Sequence, residues 1–174
     1  MDGTFRITIS PSDEIGEDEG REIDEVDQLA FSGPEDEIDW SNPQWYVIGK
    51  LAERIISIVG VLKRRIRVGK ITLEVGGIGG VATHPDYQQH GFGSAVMQSA
   101  AEFMRDDLQV EFGLLVCGQE TVSFYGKLGW QIAGAEMVFD LHGSKQVFQG
   151  ITMVLPIGPR PWPEGTIDLC GAPW

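Results

Sequence analysis

Alternating and continuous apolar segments predict seven strands. Phe5, Ile7 and Ile9 stand at every second position with polar residues between them, which is the period of a strand. Six further segments are mostly apolar and rich in β-branched residues, a composition that favours strands. They span 45–51, 55–66, 71–83, 112–117, 130–133 and 147–155. A turn at 67–70 is expected to join two of them as a hairpin.

Helical spacing of apolar residues predicts three helices. In the acidic segment 13–30 the apolar residues from Ile23 onward recur every three or four positions, until Gly33-Pro34 ends the pattern. The segment 91–104 carries an apolar stripe along one face. The segment 121–128 is followed by a glycine that stops a helix. These helices fall between strands, so hairpins and crossovers are mixed along the chain.

This mixture predicts an α/β fold, with a mixed sheet and helices on its faces. A chain of 174 residues, of which 42% are hydrophobic, is long enough to bury one full core. We therefore expect a single domain over residues 1–174. The segment 156–174 is rich in proline and glycine and is expected to be irregular.

The charge of the chain narrows the classes of partner. A net charge of −13 argues against nucleic acid, because phosphate backbones require Lys and Arg, and it fits a cationic small molecule or simple solubility. No apolar run approaches the roughly 20 residues of a membrane span, so we expect a cytoplasmic protein without a membrane partner.

The two cysteines, Cys117 and Cys170, fit no metal spacing. Two free thiols are favoured, and a disulfide between them stays open.

A glycine-containing loop before the second helix is the first candidate for a binding site. The N-terminus of a helix exposes unpaired N–H groups and a partial positive charge. Gly91 and Gly93 have no side chains to block an anion, so the amides of residues 89–94 could wrap a pyrophosphate, and Ser94 could add a hydroxyl. The alternative is a tight turn with a close contact between helix and strand.

Two motifs in order give this loop a context. Gln88-x-x-Gly91-x-Gly93 resembles the acetyl-coenzyme A loop of the GNAT (general control-related N-acetyltransferase) superfamily, and residues 80–87 before it resemble the central strand of that family. About thirty residues further on, 121–130 resembles the segment Ala-x-x-Phe-Tyr-x-Lys-x-Gly-Phe of the same family. The combined resemblance covers roughly residues 44–133.

The resemblance implies a fold and a way of holding the coenzyme. The fold would be a mixed, mostly antiparallel central sheet of about seven strands with helices on both faces and a splayed central strand pair. Exposed backbone of residues 80–83 would pair with the pantetheine arm, and the glycines around Gly79 would make room for cofactor or substrate. The competing interpretation is a β-bulge with no ligand. The coenzyme-binding residues implied are Val81, Ala82, Thr83, Gln88, Gln89, His90, Gly91, Phe92, Gly93 and Ser94.

The resemblance also implies part of the chemistry. Tyr125 matches the family tyrosine near the coenzyme sulfur, where a phenol can protonate the departing thiolate, although an aromatic that only packs a helix is the alternative. The N–H of Val81 or a neighbour could polarise the thioester carbonyl. The strand glutamate of many relatives is replaced by glycine here, and Glu74 is the nearest carboxylate. The base stays unassigned among Asp39, His84, Glu35, Asp36 and the carboxylate of Trp174, with a water chain or a neutral amine as alternatives. His84 is more readily explained as a cap of the loop before Pro85.

A closer resemblance suggests the acceptor. Residues 31–40, the segment 59–69 and the C-terminal segment look like parts of the aminoglycoside 2′-N-acetyltransferases, and the hairpin also resembles the nodulation N-acyltransferases. In the aminoglycoside enzymes an acidic loop and the terminal carboxylate bind a polycationic sugar, and carboxylates are what a polyamine requires. A solvated loop and a loose tail are the alternative. The substrate-binding residues implied are Glu35, Asp36, Asp39 and Trp174.

These expectations combine into one hypothesis with one alternative. The chain is expected to move an acetyl group from acetyl-coenzyme A to a primary amine of a small cationic acceptor, such as an aminoglycoside-like amino sugar or a polyamine, without a metal. The alternative is a non-catalytic protein that binds or senses acyl-coenzyme A. Relatives are often homodimers, and the oligomeric state is left open.

Overall fold

The computed structural model describes residues 3–31 and 38–174, which form ten strands and three α-helices. The helices are α1 (Glu17–Ala30), α2 (Phe92–Asp106) and α3 (Val122–Lys127). The strands are β1 (Phe5–Pro11), β2 (Trp45–Leu51), β3 (Arg54–Val68), β4 (Ile71–Thr83), β5 (Phe112–Cys117), β6 (Gln131–Ile132), β7 (Met137–Leu141), β8 (Ser144–Val147), β9 (Ile151–Pro156) and β10 (Ile167–Asp168). No helix in these two ranges is both long and apolar enough to cross a bilayer.

All ten strands belong to one mixed sheet. Strands β1, β2, β3, β4, β5, β9 and β6 follow one another, and β10, β7 and β8 extend from the far end of β3, where β10 pairs with Arg67 and Val68. Only the pairs β4–β5 and β10–β7 are parallel among the described residues. The predicted mixed, mostly antiparallel sheet is confirmed. The expected number of about seven strands was too low, because β7, β8 and β10 are short.

The two long helices cover opposite faces of the sheet, as predicted. Neighbouring residues of a strand point to opposite faces. On β2, Val47 packs in the cluster that contains Val96 of α2, whereas Ile48 packs with Ile23 of α1. Both strand residues are fully buried. Burying each such side chain contributes about 1.5–3 kcal/mol, so the two apolar faces fix α1 and α2 on the sheet.

The parallel strands β4 and β5 diverge part-way along their length. Their register pairs run only from Gly76 with Gly113 to Ile78 with Leu115. Beyond Ile78, β4 continues to Thr83 on the far side of the gap. The splayed strand pair implied by the resemblance is therefore present. It leaves one backbone edge of β4 free to pair with something other than β5.

A β-bulge lies where β4 leaves β5. The register with β3 changes between the pairs Ile58–Ala82 and Gly60–Gly79, so β4 has one residue more than its partner. Gly80 has φ +56°, a conformation that favours glycine. The extra residue changes the alternation of side chains. As a result Val81 packs on the α2 side, and Ala82 packs on the α1 side.

The expectation of an irregular C-terminal segment was only partly right. Much of it has no regular structure, but Ile167 and Asp168 form β10 between β3 and β7. The carboxylate of Asp168 receives hydrogen bonds from Arg67 and Lys145 at 2.8 and 2.7 Å. The predicted strand 147–155 was also too simple, because β8 ends at Val147 and β9 begins at Ile151.

Candidate active site

A cavity of about 1080 Å³ lies at the gap between β4 and β5 and is bounded in part by α1. Its described lining comes from α1, from β2 to β5, from the segments 38–43 and 118–125, and from Trp174. Three acidic side chains, Asp24, Asp27 and Glu120, line it, and no Lys or Arg does so among the described residues. The cavity therefore combines a free strand edge with a negative electrostatic potential, which favours a cationic ligand.

Tyr125, the predicted catalytic residue, lines this cavity. It is 7% exposed, and its ring packs 5.1 Å from that of Phe124 and 6.4 Å from that of Trp130. Burial, and secondarily the charge of Cys117, raise the pKa of Tyr125 to about 12. The phenol stays protonated at neutral pH and is available as a donor. Packing and chemistry are thus compatible in this residue.

Cys117 ends β5 beside the cavity and is a free thiol, as is Cys170. Burial raises the pKa of Cys117, and Glu120 raises it further, whereas a hydrogen bond with Thr121 lowers it. The thiolate is the nucleophilic form of cysteine. Because the thiol stays protonated at neutral pH, Cys117 is a poor nucleophile.

Trp174 packs against β4 and β5 where these two strands are paired. Its side chain is buried, and its Nε1 donates a hydrogen bond of 3.1 Å to the carbonyl of Leu114 on β5. A Cβ at Gly77 would lie 2.5 Å from that nitrogen, and one at Gly79 would lie 2.9 Å from the carbon of the C-terminal carboxylate of Trp174. Two of the four clustered glycines therefore make room for a residue of the chain itself, not only for cofactor or substrate as expected.

The segment that ends in Trp174 is held by side chains from elsewhere in the chain. The guanidinium carbon of Arg64 lies 5.0 Å from the centre of the indole, and this guanidinium donates to the carbonyl of Ala172 and to Oγ of Ser41. The amide of Ser41 donates to the carbonyl of Pro173 at 2.7 Å. Trp174 therefore has a fixed position in the cavity wall, whereas a loose tail would not.

The predicted phosphate loop has a left-handed backbone at Gly91. This residue precedes the first turn of α2 with φ +86°, and a Cβ there would meet no atom within 4 Å. An uncrowded Gly91 at the start of a 15-residue helix leaves room for an anion near the unpaired amides of the first turn. Gly93 has a different reason, because its Cβ would lie 3.1 Å from Oγ1 of Thr83. The close contact of helix and strand, given above as an alternative, thus applies to Gly93.

Side chains of the loop mainly shape its backbone. The side-chain amide nitrogen Nε2 of Gln88 donates to the carbonyl of Thr83 at 3.0 Å. Nδ1 of His90 lies 2.7 Å from the carbonyl oxygen of Gln88. Gln89 has φ +62°, and Phe92 packs against Phe5 with ring centres 4.6 Å apart. The main-chain amides of the loop are therefore the groups that it offers to a ligand.

The remaining predicted coenzyme-binding residues are Val81, Ala82, Thr83 and Ser94. Val81 lines the cavity. Ala82 is buried against α1, and its carbonyl accepts a hydrogen bond from Ser57, whose Oγ also lies 2.8 Å from Oγ1 of Thr83. Ser94 lies in the first turn of α2 and is partly buried. Backbone contacts are again what these positions can provide to a pantetheine arm.

The predicted acceptor residues are only partly brought together. Asp39 does not line the cavity, and its carboxylate lies 3.4 Å from Nε2 of His142 in an exposed pair. Glu35 and Asp36 lie outside the described residues. Trp174 is the only one of the four that the described structure places in the cavity wall.

The other carboxylate and histidine considered as bases have structural partners. Glu74 lies 3.6 Å from the ammonium of Lys63 and does not line the cavity. His84 accepts a hydrogen bond from the amide of Asp86, so it caps the turn Pro85–Tyr87 as expected, and its other ring nitrogen lies 3.2 Å from the guanidinium of Arg54. Neither residue is placed to take a proton in the cavity.

The sequence analysis missed the acidic residues that α1 brings to the cavity. Asp24 and Asp27 lie one helical turn apart on the same face. A Cβ at Gly80, in the bulge of β4, would lie 3.9 Å from Oδ1 of Asp27. Desolvation and the charge of Asp24 raise the pKa of Asp27. Their spacing of three residues was visible in the sequence, but the contact of α1 with the bulge was not.

Comparison with known proteins identifies the family. A sequence model of the family described as "Acetyltransferase (GNAT) domain" matches residues 13–133, which is more than half of the chain. The chain belongs to the GNAT family of acetyltransferases. A comparison with curated proteins finds no match. The splayed strands, the loop before α2 and Tyr125 are thus parts of a GNAT domain.

Solved structures support the same fold. ElaA from Escherichia coli is 16% identical with a TM-score of 0.66, and the match covers 87% of this chain and 99% of that one. An acyl-CoA N-acyltransferase from Pseudomonas aeruginosa is 14% identical with a TM-score of 0.62, again over 87% and 99% of the two chains. A GCN5-related N-acetyltransferase from Kribbella flavida is 17% identical with a TM-score of 0.61, over 77% of this chain but only 34% of that one. At these identities the likeness establishes the GNAT fold.

Proposed function

We propose that this GNAT domain transfers an acetyl group from acetyl-coenzyme A to a primary amine of a small cationic acceptor. One observation carries the proposal: a single cavity brings together the free edge of β4, the Tyr125 phenol and an acidic lining without Lys or Arg among the described residues. The free edge of β4 would position the thioester, the phenol would donate a hydrogen bond to its sulfur, and the acidic lining would attract an ammonium group.

The residues present fit the coenzyme at three places. The amides at the start of α2, in front of Gly91, would hold the pyrophosphate. The edge of β4 beyond Ile78 would pair with the amides of the pantetheine arm, and the N–H of Val81 or a neighbour would polarise the thioester carbonyl. Tyr125 would donate a hydrogen bond to the sulfur as negative charge develops on it. When bound, the coenzyme supplies the acetyl group as a thioester.

The acidic lining supports a cationic acceptor, such as an amino sugar or a polyamine. The proposed acceptor class follows the resemblance to the aminoglycoside 2′-N-acetyltransferases. The position of Trp174, one of the four acceptor residues implied by that resemblance, in the cavity wall supports it. The loop residues Glu35, Asp36 and Asp39 remain proposed contacts of the acceptor. The acceptor would enter from the α1 side, where Asp24 is exposed at the cavity wall.

Two measurements test the proposal. Calorimetry measures the binding of acetyl-coenzyme A, and an assay of thiol release measures activity with spermidine and kanamycin as acceptors. Binding of the coenzyme together with amine-dependent thiol release supports the transferase. Binding without release under any of these conditions would instead favour the non-catalytic acyl-coenzyme A binder. If acetyl-coenzyme A does not bind at all, the proposed acetyl transfer is excluded.

We expect Tyr125→Phe to lower kcat by about 100-fold, because general acid catalysis contributes on this order. The ring keeps its contacts with Phe124 and Trp130, so stability should change by less than about 0.5 kcal/mol and the Kd of acetyl-coenzyme A should be unchanged. Tyr87→Phe, outside the cavity, is the matched control. An unchanged kcat for Tyr125→Phe would leave this tyrosine with a packing role only.

A further inference from the structure

The proposed reaction needs a group that takes a proton from the acceptor. At neutral pH a primary amine is an ammonium ion and has no lone pair with which to attack a carbonyl. The β4 residues around the gap, from Gly76 to Gly80, have no ionisable side chain. Glu74 and His84 are engaged elsewhere, as described above. The carboxylates that the described structure brings to the cavity wall are those of Asp24, Asp27 and Glu120 and the C-terminal carboxylate of Trp174, whose carbon would lie 2.9 Å from a Cβ at Gly79.

We propose that Asp27 of α1 is the general base, which accepts a proton from the acceptor ammonium beside the bulge of β4. Its carboxylate faces Gly80, where a Cβ would lie 3.9 Å from Oδ1 and would meet no other residue within 4 Å. Gly80 immediately precedes Val81, at the point where β4 has left β5 and the thioester is expected. This inference rests on the proposed function.

The surroundings leave Asp27 available for this role. No hydrogen bond or ion pair reaches its carboxylate from the described residues. Neighbouring acidic residues of α1 differ in this respect: Glu19 pairs with Lys50 at 2.8 Å, and Glu25 pairs with Arg54 at 3.5 Å. An unpaired carboxylate in the wall of a cavity has its lone pairs free for a ligand.

Burial and a nearby charge both favour Asp27 as a proton acceptor. Desolvation is the main cause that raises its pKa, and the charge of Asp24 adds to it. Tyr46 on β2 lines the same cavity, and burial, followed by the charges of Asp27 and Asp24, raises the pKa of its phenol. Among the described residues, the other titratable side chains that line the cavity are Cys117, Glu120 and Tyr125. A raised pKa brings a carboxylate closer to the working pH, where a base is most effective.

The step balances without another reactant. Asp27 takes one proton from the ammonium, and the amine nitrogen then bonds to the thioester carbonyl carbon. The carbon–sulfur bond breaks, and the sulfur leaves with its electron pair. A second proton passes from the nitrogen to the sulfur through the hydroxyl of Tyr125. The third proton stays on the amide, and Asp27 releases its proton to solvent.

The test compares acceptors that do and do not need a base. With spermidine or kanamycin, Asp27→Asn is expected to lower kcat/KM by about 100-fold, and Asp27→Glu should recover part of the loss. Hydroxylamine is already neutral at pH 7, so its acetylation should change little in Asp27→Asn. Asp18→Asn, on the exposed face of α1 beside Arg21, is the matched control and should behave as wild type.

The pH profile gives a second readout. A base must be ionised, so activity should fall as pH decreases through the pKa of Asp27. Asp24→Asn removes one cause of the raised pKa, so the acid limb of the profile should move to lower pH. A limb that does not move in Asp24→Asn would contradict the assignment.

The remaining outcomes separate the two proposals. If wild type binds acetyl-coenzyme A and acetylates the amines while Asp27→Asn matches it, Asp27 is not the base and the transferase stands. Equal losses with hydroxylamine and with the ammonium acceptors would also overturn the assignment, because they indicate a structural role. If wild type binds no acetyl-coenzyme A, or acetylates no acceptor including hydroxylamine, the proposed function fails and the base assignment fails with it.

Discussion

Replacing Gly91 by Asp is expected to weaken the binding of acetyl-coenzyme A by roughly 100- to 1000-fold. The new carboxylate would stand where the pyrophosphate is proposed to lie, in the open space in front of α2. Two like charges about 4 Å apart near a protein surface repel by about 4 kcal/mol, and every 1.4 kcal/mol corresponds to a factor of ten in Kd. The titration of acetyl-coenzyme A by calorimetry measures the effect.

Gly91→Asn is the matched control for this prediction. Asn and Asp have similar size, and both tolerate the left-handed backbone that Gly91 adopts. Asn should therefore weaken binding by no more than about tenfold, through its bulk alone. A negative charge near a helix N-terminus stabilises the helix, so a weaker fold cannot explain a loss seen only with Asp. Equal Kd values for the two variants would place the pyrophosphate elsewhere.

Local motifs explain why the loop before α2 and the position of Tyr125 could be predicted from the sequence. The loop before α2 depends on neighbouring residues, with Gly91 at φ +86° and the first turn of the helix directly after it. The same holds for Tyr125, which follows β5 by a short connection. Because these geometries are set within about ten residues, spacing and residue type are sufficient to indicate them.

The acidic part of the cavity wall could not be predicted because it depends on contacts between distant parts of the chain. Asp27 meets Gly80 only because α1 packs on β4, and the bulge that turns Gly80 toward it is set by the register with β3. The acidic loop drew attention to Asp39, whose side chain meets His142 in an exposed pair outside the cavity. Charge patterning alone does not specify which carboxylates face a cavity.

The short strands and the C-terminal segment were missed for a similar reason. Strand β10 has two residues, and it exists because the end of β3 and the edge of β7 present backbone groups on both sides of it. Such a strand has no periodicity of its own. Likewise the glycine cluster of β4 suggested room for a ligand, although Gly77 and Gly79 also accommodate Trp174, about a hundred residues away.

Trp174→Ala is expected to lower the free energy of unfolding by about 3–5 kcal/mol, the range for removal of a buried tryptophan. The side chain is 7% exposed, and the cavity left behind would also lose the hydrogen bond to Leu114 and the contact with Arg64. Urea denaturation measures the loss. Trp162→Phe is the control, because Nε1 of Trp162 is buried without a partner in the described structure and no hydrogen bond is lost.

A double-mutant cycle with Gly77 separates this packing from a general loss of core volume. A Cβ at Gly77 would overlap the indole of Trp174, so Gly77→Ala should destabilise the wild-type protein by about 1–3 kcal/mol through overpacking. In the Trp174→Ala background the obstacle is gone, so the same change should cost little. The two effects are therefore expected to be strongly non-additive, as for residues in direct contact. Additive losses would mean that Trp174 does not occupy the front of β4, and the acceptor side of the cavity would then lack the wall that the proposed function assigns to it.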